Sequence, residues 1–115
     1  MKFGLSDKVI DEINGVFSRH SEVEKVLIFG SRAKGNYRPG SDIDLAVIGS
    51  NIDFRLILKI SCEIDDLELL YGVDLLDYKS KKGTPIGEHI DRVGQVFYSC
   101  DEYKKTFQKI SERKF

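Results

Sequence analysis

The sequence predicts an α+β domain in which a small mixed β-sheet is flanked by helices. Two observations lead to this fold class. Apolar residues recur at helical spacing in several segments, and four short apolar runs read as strands: residues 24–29, 43–48, 72–78 and 95–99. The segments alternate along the chain, so the expected order is α-β-(short α)-β-α-β-α-β-α.

The first helix and the first strand are predicted from capping and hydropathy. Ser6 is placed to cap a helix that should end near residues 18–22. Its apolar positions follow helical spacing: Val9, Ile13, Val16 and Phe17. The strand at 24–29 contains the continuous apolar run "VLIF", which indicates a central strand covered on both faces.

The second strand, residues 43–48, alternates between two faces. One face carries Ile43, Leu45 and Val47, whereas the other carries two acids and an alanine: Asp42, Asp44 and Ala46. The acids interrupt what otherwise reads as a buried strand.

A long helix is predicted over residues 53–69. Its buried stripe should consist of the apolar residues at helical spacing: Phe54, Ile57, Ile60, Ile64 and Leu67. Three further leucines widen the apolar surface beyond this stripe: Leu56, Leu58 and Leu70. These additional apolar side chains would suit either the core or a surface that binds a partner. The partner could be a second copy of this chain, in a homo-oligomer.

The rest of the chain reads as strand, loop, helix, strand and helix. Residues 72–78 form the third strand after a glycine stop, and residues 79–85 are the most loop-like segment. Pro85 should open a short helix that runs through Arg92 and ends at Gly94. After the strand at 95–99, an amphipathic helix closes the chain, with Tyr103, Phe107 and Ile110 on one side.

Composition limits the class of protein. A chain of 115 residues, 41% hydrophobic, suits one domain over residues 1–115, with 100–115 as a C-terminal helical extension. The 18 basic and 19 acidic residues give a net charge of -1, so no direct nucleic-acid partner and no membrane partner is expected. The sequence shows no signal peptide, and its two cysteines are far apart, which favours a cytoplasmic protein.

The motif Asp42-Ile43-Asp44 predicts metal chemistry. Residues i and i+2 of a strand point the same way, so the two carboxylates should project side by side. Adjacent carboxylates repel unless a cation lies between them, and Mg²⁺ prefers such oxygen ligands together with substrate phosphates. Two ions roughly 3.5–4 Å apart would suit an in-line displacement. The alternative is that the acids are solvated at a strand end.

The dipeptide Gly30-Ser31 predicts a phosphate-binding turn. Gly30 allows a tight turn and a close approach to a ligand, while Ser31 would cap or start a short helix whose free N–H groups face a phosphate. Arg32 and Lys34 add positive charge nearby. Taken alone, the dipeptide is a weak signal, because an ordinary strand-to-helix turn capped by serine has the same residues.

A third carboxylate is predicted in "VDLLD". Asp74 lies between apolar residues inside the third strand, which would have to lie beside the strand of Asp44. It could orient or deprotonate an attacking hydroxyl. Asp77 is the alternative candidate for the third carboxylate, but it lies at the end of the strand, where a capping or solvated position is expected.

These residues resemble a known family. Gly30-Ser31, ten residues and then Asp42-Ile43-Asp44 match the GS-x10-DxD signature of the DNA polymerase β-like nucleotidyltransferases. The fuller stretch "FGSRAKGNYRPGSDIDLAV" is similar to the minimal nucleotidyltransferases, the MNT proteins of prokaryotic HEPN/MNT gene pairs. The resemblance covers about residues 5 to 99 and implies the polymerase β-like palm fold.

The resemblance also implies an activity and a partner. Asp42, Asp44 and Asp74 would be the catalytic, metal-binding acids, holding two Mg²⁺ ions or Mn²⁺. The nucleotide site would contain five residues: Gly30, Ser31, Arg32, Lys34 and Ser41. Such enzymes transfer a nucleoside monophosphate, usually AMP from ATP, to a hydroxyl. An MNT antitoxin neutralises a helical HEPN-family toxin by adding AMP to a tyrosine, by binding it, or both. A small-molecule acceptor held by a separate helical subunit is the alternative.

Several polar residues are expected to have ordinary roles. His20 and His89 are isolated, so surface or helix-end positions are expected for both. Arg92 and the lysines of the predicted loop should be solvated.

Overall fold

The structure is a computed structural model that describes residues 1–105. It contains helices α1 (Asp7–Ser18), α2 (Gly30–Lys34), α3 (Phe54–Asp65), α4 (Tyr78–Lys81) and α5 (Pro85–Val93), and strands β1 (Val23–Phe29), β2 (Ile43–Gly49), β3 (Val73–Asp77) and β4 (Gln95–Ser99). Residues 100–105 are helical. The remainder of the predicted closing helix, including Phe107 and Ile110, lies outside the described residues.

The four strands form one mixed sheet in the order β3-β2-β1-β4. β1 is antiparallel to both β2 and β4, whereas β2 and β3 are parallel. The predicted α+β class, with a small mixed sheet and flanking helices, is therefore confirmed. β1 is central, as its continuous apolar run predicted.

The parallel pair explains how acids distant in sequence become neighbours. A parallel connection needs a crossover, and α3 provides it between β2 and β3. Asp53 begins this crossover helix, because its Oδ1 accepts a hydrogen bond of 2.8 Å from the Leu56 amide. The resulting register places Asp44 opposite Asp74.

The hydrophobic core lies mainly on one face of the sheet. There β1 and β2 pack against α1 and α3 through residues that are fully buried: Val26, Ile28, Leu45, Val47, Ile13, Phe17 and Ile60. A smaller cluster joins Phe29 and Ala46 to Ile90 of α5. Helix α5 therefore covers the sheet face from which Asp44 projects.

Two predictions for α3 are wrong. The helix ends at Asp65 rather than near residue 69, and the chain then turns, with Glu68 at a φ of 55°. Phe54 is 79% exposed, although helical spacing placed it in the buried stripe. It is the first residue of the helix, whereas the buried positions Ile60 and Ile64 lie nearer its C-terminus.

The predicted loop after β3 contains a short helix, α4. Asp77 begins it by accepting a hydrogen bond of 3.2 Å from the Lys79 amide, which agrees with its predicted capping position. The start of α5 follows the prediction, with Pro85 in its first turn and Thr84 as its cap. Gly94 ends α5, as expected. No helix within residues 1–105 is long and apolar enough to cross a membrane.

Candidate active site

Three carboxylates meet at one end of the parallel strand pair. Asp44 and Asp74 are register partners, and Asp42 precedes Asp44 by two residues. Burial raises the pKa of Asp44 above 3.8, and the charges of Asp74 and then Asp42 raise it further. The strand register therefore brings together the three acids that the sequence predicts for the site.

Gly30 brings the turn after β1 against Asp44. Phe29, the last residue of β1, pairs with Asp44, so the next residue starts beside this carboxylate. The φ of Gly30 is +71°, and a Cβ at this position would lie 2.4 Å from Asp44 Oδ2. Only glycine meets both requirements without displacing the carboxylate.

Gly72 has a similar relation to Asp42. Its carbonyl accepts a hydrogen bond of 2.8 Å from the Ile43 amide, which joins the start of β2 to the segment before β3. A Cβ on Gly72 would lie 2.6 Å from Asp42 Oδ1. Sequence reasoning interpreted this glycine only as a helix stop, since nothing local shows which side chain lies against it.

Ser31 lies in the first turn of α2 and is not its cap. The helix begins at Gly30, with Phe29 at the N-cap position and no side-chain capping bond. The amide groups of this turn are among those that an α-helix leaves without an internal partner. Lys34 ends the same helix and is exposed. The nucleotide contacts of Gly30, Ser31 and Lys34 stay predictions.

Arg32 has other partners in this structure. Its side chain is buried, and all three guanidinium nitrogens donate to backbone carbonyls of Ser41 and Phe3. Ser41 is also occupied, because its hydroxyl accepts a hydrogen bond of 2.9 Å from the Arg38 amide. Direct nucleotide contacts of Arg32 and Ser41 stay predictions; the Ser41 hydroxyl only accepts in its bond with Arg38, so its own O–H can still donate to a phosphate.

His89 is the residue that sequence reasoning set aside and the structure brings to the site. Its ring meets that of Phe29 edge-on, with centroids 6.2 Å apart and planes at 80°. Its charge lowers the pKa of Asp44, against the effect of burial and the two acids. The sequence could not show this, because it does not say which sheet face α5 covers.

His20 has a structural role at the end of α1. Its Nε2 lies 2.9 and 3.0 Å from the two carboxylate oxygens of Glu63 on α3. This contact joins two helices on the core side of the sheet and agrees with the expected helix-end position.

The acids fit a divalent cation that also takes ligands from a substrate. Within residues 1–105, no group of three or more His, Cys, Asp or Glu side chains is placed to hold a metal ion. Mg²⁺ commonly takes only one or two protein carboxylates and completes its shell with phosphate oxygens and water. Asp42, Asp44 and Asp74 supply oxygens of this kind. Burial first, and then the charges of Asp74 and Asp42, raise the pKa of Asp44, and a cation would compensate those charges.

Comparison with known proteins gives a family and two relatives. A family model described as polymerase beta, nucleotidyltransferase matches residues 11–103. MntA of Haemophilus influenzae is 32% identical over 85 residues, which cover 73% of this chain and 71% of that protein. MJ0604 of Methanocaldococcus jannaschii is 35% identical over 69 residues, which cover 58% of this chain and 65% of that protein. The match thus spans just under two thirds of the length of MJ0604. Both relatives are named as candidate protein adenylyltransferases.

Solved structures share the fold at low sequence identity. A chain of a toxin-antitoxin crystal structure with AMP-PNP is 20% identical, with a TM-score of 0.63 over 96% of this chain and 94% of that one. A chain of the tri-AMPylated Shewanella oneidensis HEPN toxin in complex with MNT antitoxin is 18% identical, with a TM-score of 0.61 over 96% and 87% of the two chains. These likenesses confirm the predicted fold.

Proposed function

Because this chain belongs to the polymerase β nucleotidyltransferase family, we propose that it transfers AMP from ATP to a hydroxyl group of a protein. The acceptor we propose is a tyrosine of a helical HEPN-family toxin, so that the chain acts as its antitoxin. The names of the two relatives support protein adenylylation as the reaction. The toxin-antitoxin complexes among the structural neighbours support the partner.

One observation carries the proposal more than any other. The parallel register of β2 and β3 places Asp74 beside Asp44, while Gly30 holds the preceding turn against the same carboxylate. The turn that would hold the nucleotide and the group of acids therefore lie next to each other at the same strand ends. Nucleotidyl transfer needs this combination, because the triphosphate must be held where charge develops during displacement.

Each acid has a proposed role. Asp42 and Asp44 would hold divalent cations, two Mg²⁺ ions or Mn²⁺, with Asp74 contributing an oxygen. Bound cations of this kind neutralise the triphosphate and stabilise the charge on the attacking and leaving oxygens. Asp74 is exposed, so it can reach an acceptor from outside and take the proton of its hydroxyl.

The turn after β1 would hold the nucleotide. First-turn amides of α2 and the Ser31 hydroxyl would donate to phosphate oxygens, and Lys34 would add charge. With the acceptor oxygen in line, a bond forms to the α-phosphorus and the bond to pyrophosphate breaks. Positioning then supplies most of the rate enhancement.

The test uses the purified chain with labelled ATP, Mg²⁺ and the product of the neighbouring gene. Label on a tyrosine of that protein is expected, and Asp42→Asn and Asp44→Asn should abolish it. Asp11→Asn is the matched control, because Asp11 is exposed on α1. Label on a small molecule instead would favour a substrate held by a separate helical subunit. If both site variants still neutralise the partner in cells, binding alone provides the antitoxin effect.

A further inference from the structure

Arg32 is the one charged residue buried among residues 1–105, with an exposure of 3%. Its Nε and Nη2 donate to the carbonyl oxygen of Ser41 at 3.0 and 2.8 Å. Its Nη1 donates to the carbonyl oxygen of Phe3 at 2.9 Å. A buried cation is costly unless it is hydrogen-bonded, and here backbone carbonyls meet that need.

Two aromatic rings complete the surroundings of the guanidinium. Its carbon lies 4.9 Å from the ring centroid of Tyr71 and 5.1 Å from that of Tyr37. Cation–π attraction strengthens when the cation is desolvated, as it is here. The site for Arg32 is therefore built from three separate segments: the N-terminus, the loop between α2 and β2, and the chain that enters β3.

Two of these segments adjoin Asp42. Ser41 directly precedes Asp42 in the chain. Tyr71 directly precedes Gly72, whose Cα faces Asp42 Oδ1 and whose carbonyl is bonded to the Ile43 amide. The guanidinium thus contacts Ser41, which precedes Asp42, and Tyr71, which precedes Gly72. Gly72 is the residue that leaves room for the Asp42 carboxylate.

We propose that Arg32 is a positioning residue that holds the Asp42 carboxylate in place through Ser41 and Tyr71, and is not a phosphate ligand. Three of the five guanidinium N–H groups donate to carbonyls, two aromatic rings lie against the group, and Arg32 is only 3% exposed, so it presents almost no surface to a phosphate. The planar fork of arginine suits the doubly bonded Ser41 carbonyl, and lysine cannot reproduce it. This inference rests on the proposed function only for the role of Asp42 in transfer.

The test compares Arg32→Lys and Tyr71→Leu with the parent chain. Arg32→Lys keeps the charge but loses the fork, whereas Tyr71→Leu keeps the guanidinium and removes one stacking ring. Arg55→Lys is the matched control, because Arg55 is exposed on α3. The readouts are kcat, KM for ATP, and hydrogen exchange of the amides that order the loop, those of Arg38, Ser41 and Ile43.

A positioning role predicts that both variants lower kcat by roughly 10- to 100-fold and leave KM for ATP within about twofold. The three amides should exchange faster, while amides of β4 keep their protection. A rise in KM for ATP with unchanged exchange in Arg32→Lys would overturn the inference and make Arg32 a phosphate ligand. Unchanged kcat and exchange would overturn it as well.

The exchange measurement separates this inference from the proposed function. If the parent chain transfers no nucleotide, the proposed function fails, yet the exchange rates still decide whether Arg32 orders the segment that carries Asp42. Faster exchange in both variants supports that role, and exchange equal to the parent's rejects it. Unfolding is detected independently, because it would also remove the protection of β4.

Discussion

Asp44 and Asp74 face each other across two parallel strands, as register partners of β2 and β3. They lie thirty positions apart in the sequence, and α3 lies within that interval. Burial, and then the charge of Asp74, raise the pKa of Asp44. A folded protein that keeps like charges together at neutral pH gives up stability for a site, and this cost can be measured.

Replacing Asp44 by asparagine should stabilise the metal-free protein at neutral pH. Burial, then the charges of Asp74 and Asp42, raise the pKa of Asp44 above its ordinary 3.8 in the folded state. The folded protein therefore binds this proton more tightly than the unfolded chain does, so ionised Asp44 destabilises the fold at pH values above the folded pKa. The penalty disappears as the pH falls through that pKa.

Thermal unfolding in EDTA, from about pH 8 to about pH 4, checks this prediction. Asp44→Asn should raise the free energy of unfolding by about 0.5–2 kcal/mol near pH 8, and the gain should shrink on acidification. Asp11→Asn should show no such trend. A lower Tm for Asp44→Asn at neutral pH would contradict the predicted repulsion.

Gly30→Ala and Gly35→Ala form a matched pair that separates backbone strain from crowding of the site. Both glycines have positive φ, +71° and +84°, but a Cβ on Gly35 meets nothing within 4 Å, whereas one on Gly30 meets Asp44. Gly35→Ala should cost about 1–2 kcal/mol of stability and leave transfer activity intact. Gly30→Ala should cost at least as much and also lower kcat.

Chemical denaturation and transfer assays on the two variants provide the measurement. Equal kcat values for them would mean that the contact between position 30 and Asp44 has no bearing on activity.

Gly72→Ala should reduce activity with little loss of stability. Its φ does not lie in the left-handed region, so alanine adds no backbone strain, and the atom that a Cβ would meet is the end of the Asp42 side chain. That exposed carboxylate can move aside, and a displaced metal ligand should lower kcat by roughly tenfold or more. The measurement is kcat alongside Tm.

Gly15→Ala is the control for Gly72→Ala. Gly15 lies inside α1, and a Cβ there meets nothing within 4 Å. Alanine should stabilise the helix by about 0.5–1 kcal/mol and leave kcat unchanged. A full loss of folding in Gly72→Ala, with Gly15→Ala behaving as expected, would show that the segment before β3 cannot adjust.

Ile60→Ala and Phe54→Ala test which positions of α3 belong to the core. Ile60 is fully buried, so its truncation should cost about 2–5 kcal/mol in unfolding free energy. Phe54 is 79% exposed, and its truncation should change that free energy by no more than about 0.5 kcal/mol. Urea denaturation of both variants gives the comparison. A loss of more than about 2 kcal/mol in unfolding free energy for Phe54→Ala would mean that Phe54 is part of the buried stripe after all.

The local features of this protein are readable from its sequence. Alternation along one strand puts Asp42 and Asp44 on the same side, and the glycine-serine dipeptide marks the turn that approaches them. Ser6, Asp53 and Thr84 cap their helices through contacts that span three residues. Such patterns need only the geometry of one strand, turn or helix, which is why the fold class and the pair of acids follow from them.

Only the tertiary structure decided the relationships between segments. It set the register that pairs Asp44 with Asp74, placed His89 against Phe29, left Phe54 exposed and surrounded Arg32 with carbonyls and rings. Each outcome depends on which elements pack together, and residues distant along the chain carry no local signal of that choice. The sequence by itself determined which chemical groups are present and how neighbouring ones are aimed. The packing of α2, α3 and α5 around the sheet decided which of them meet.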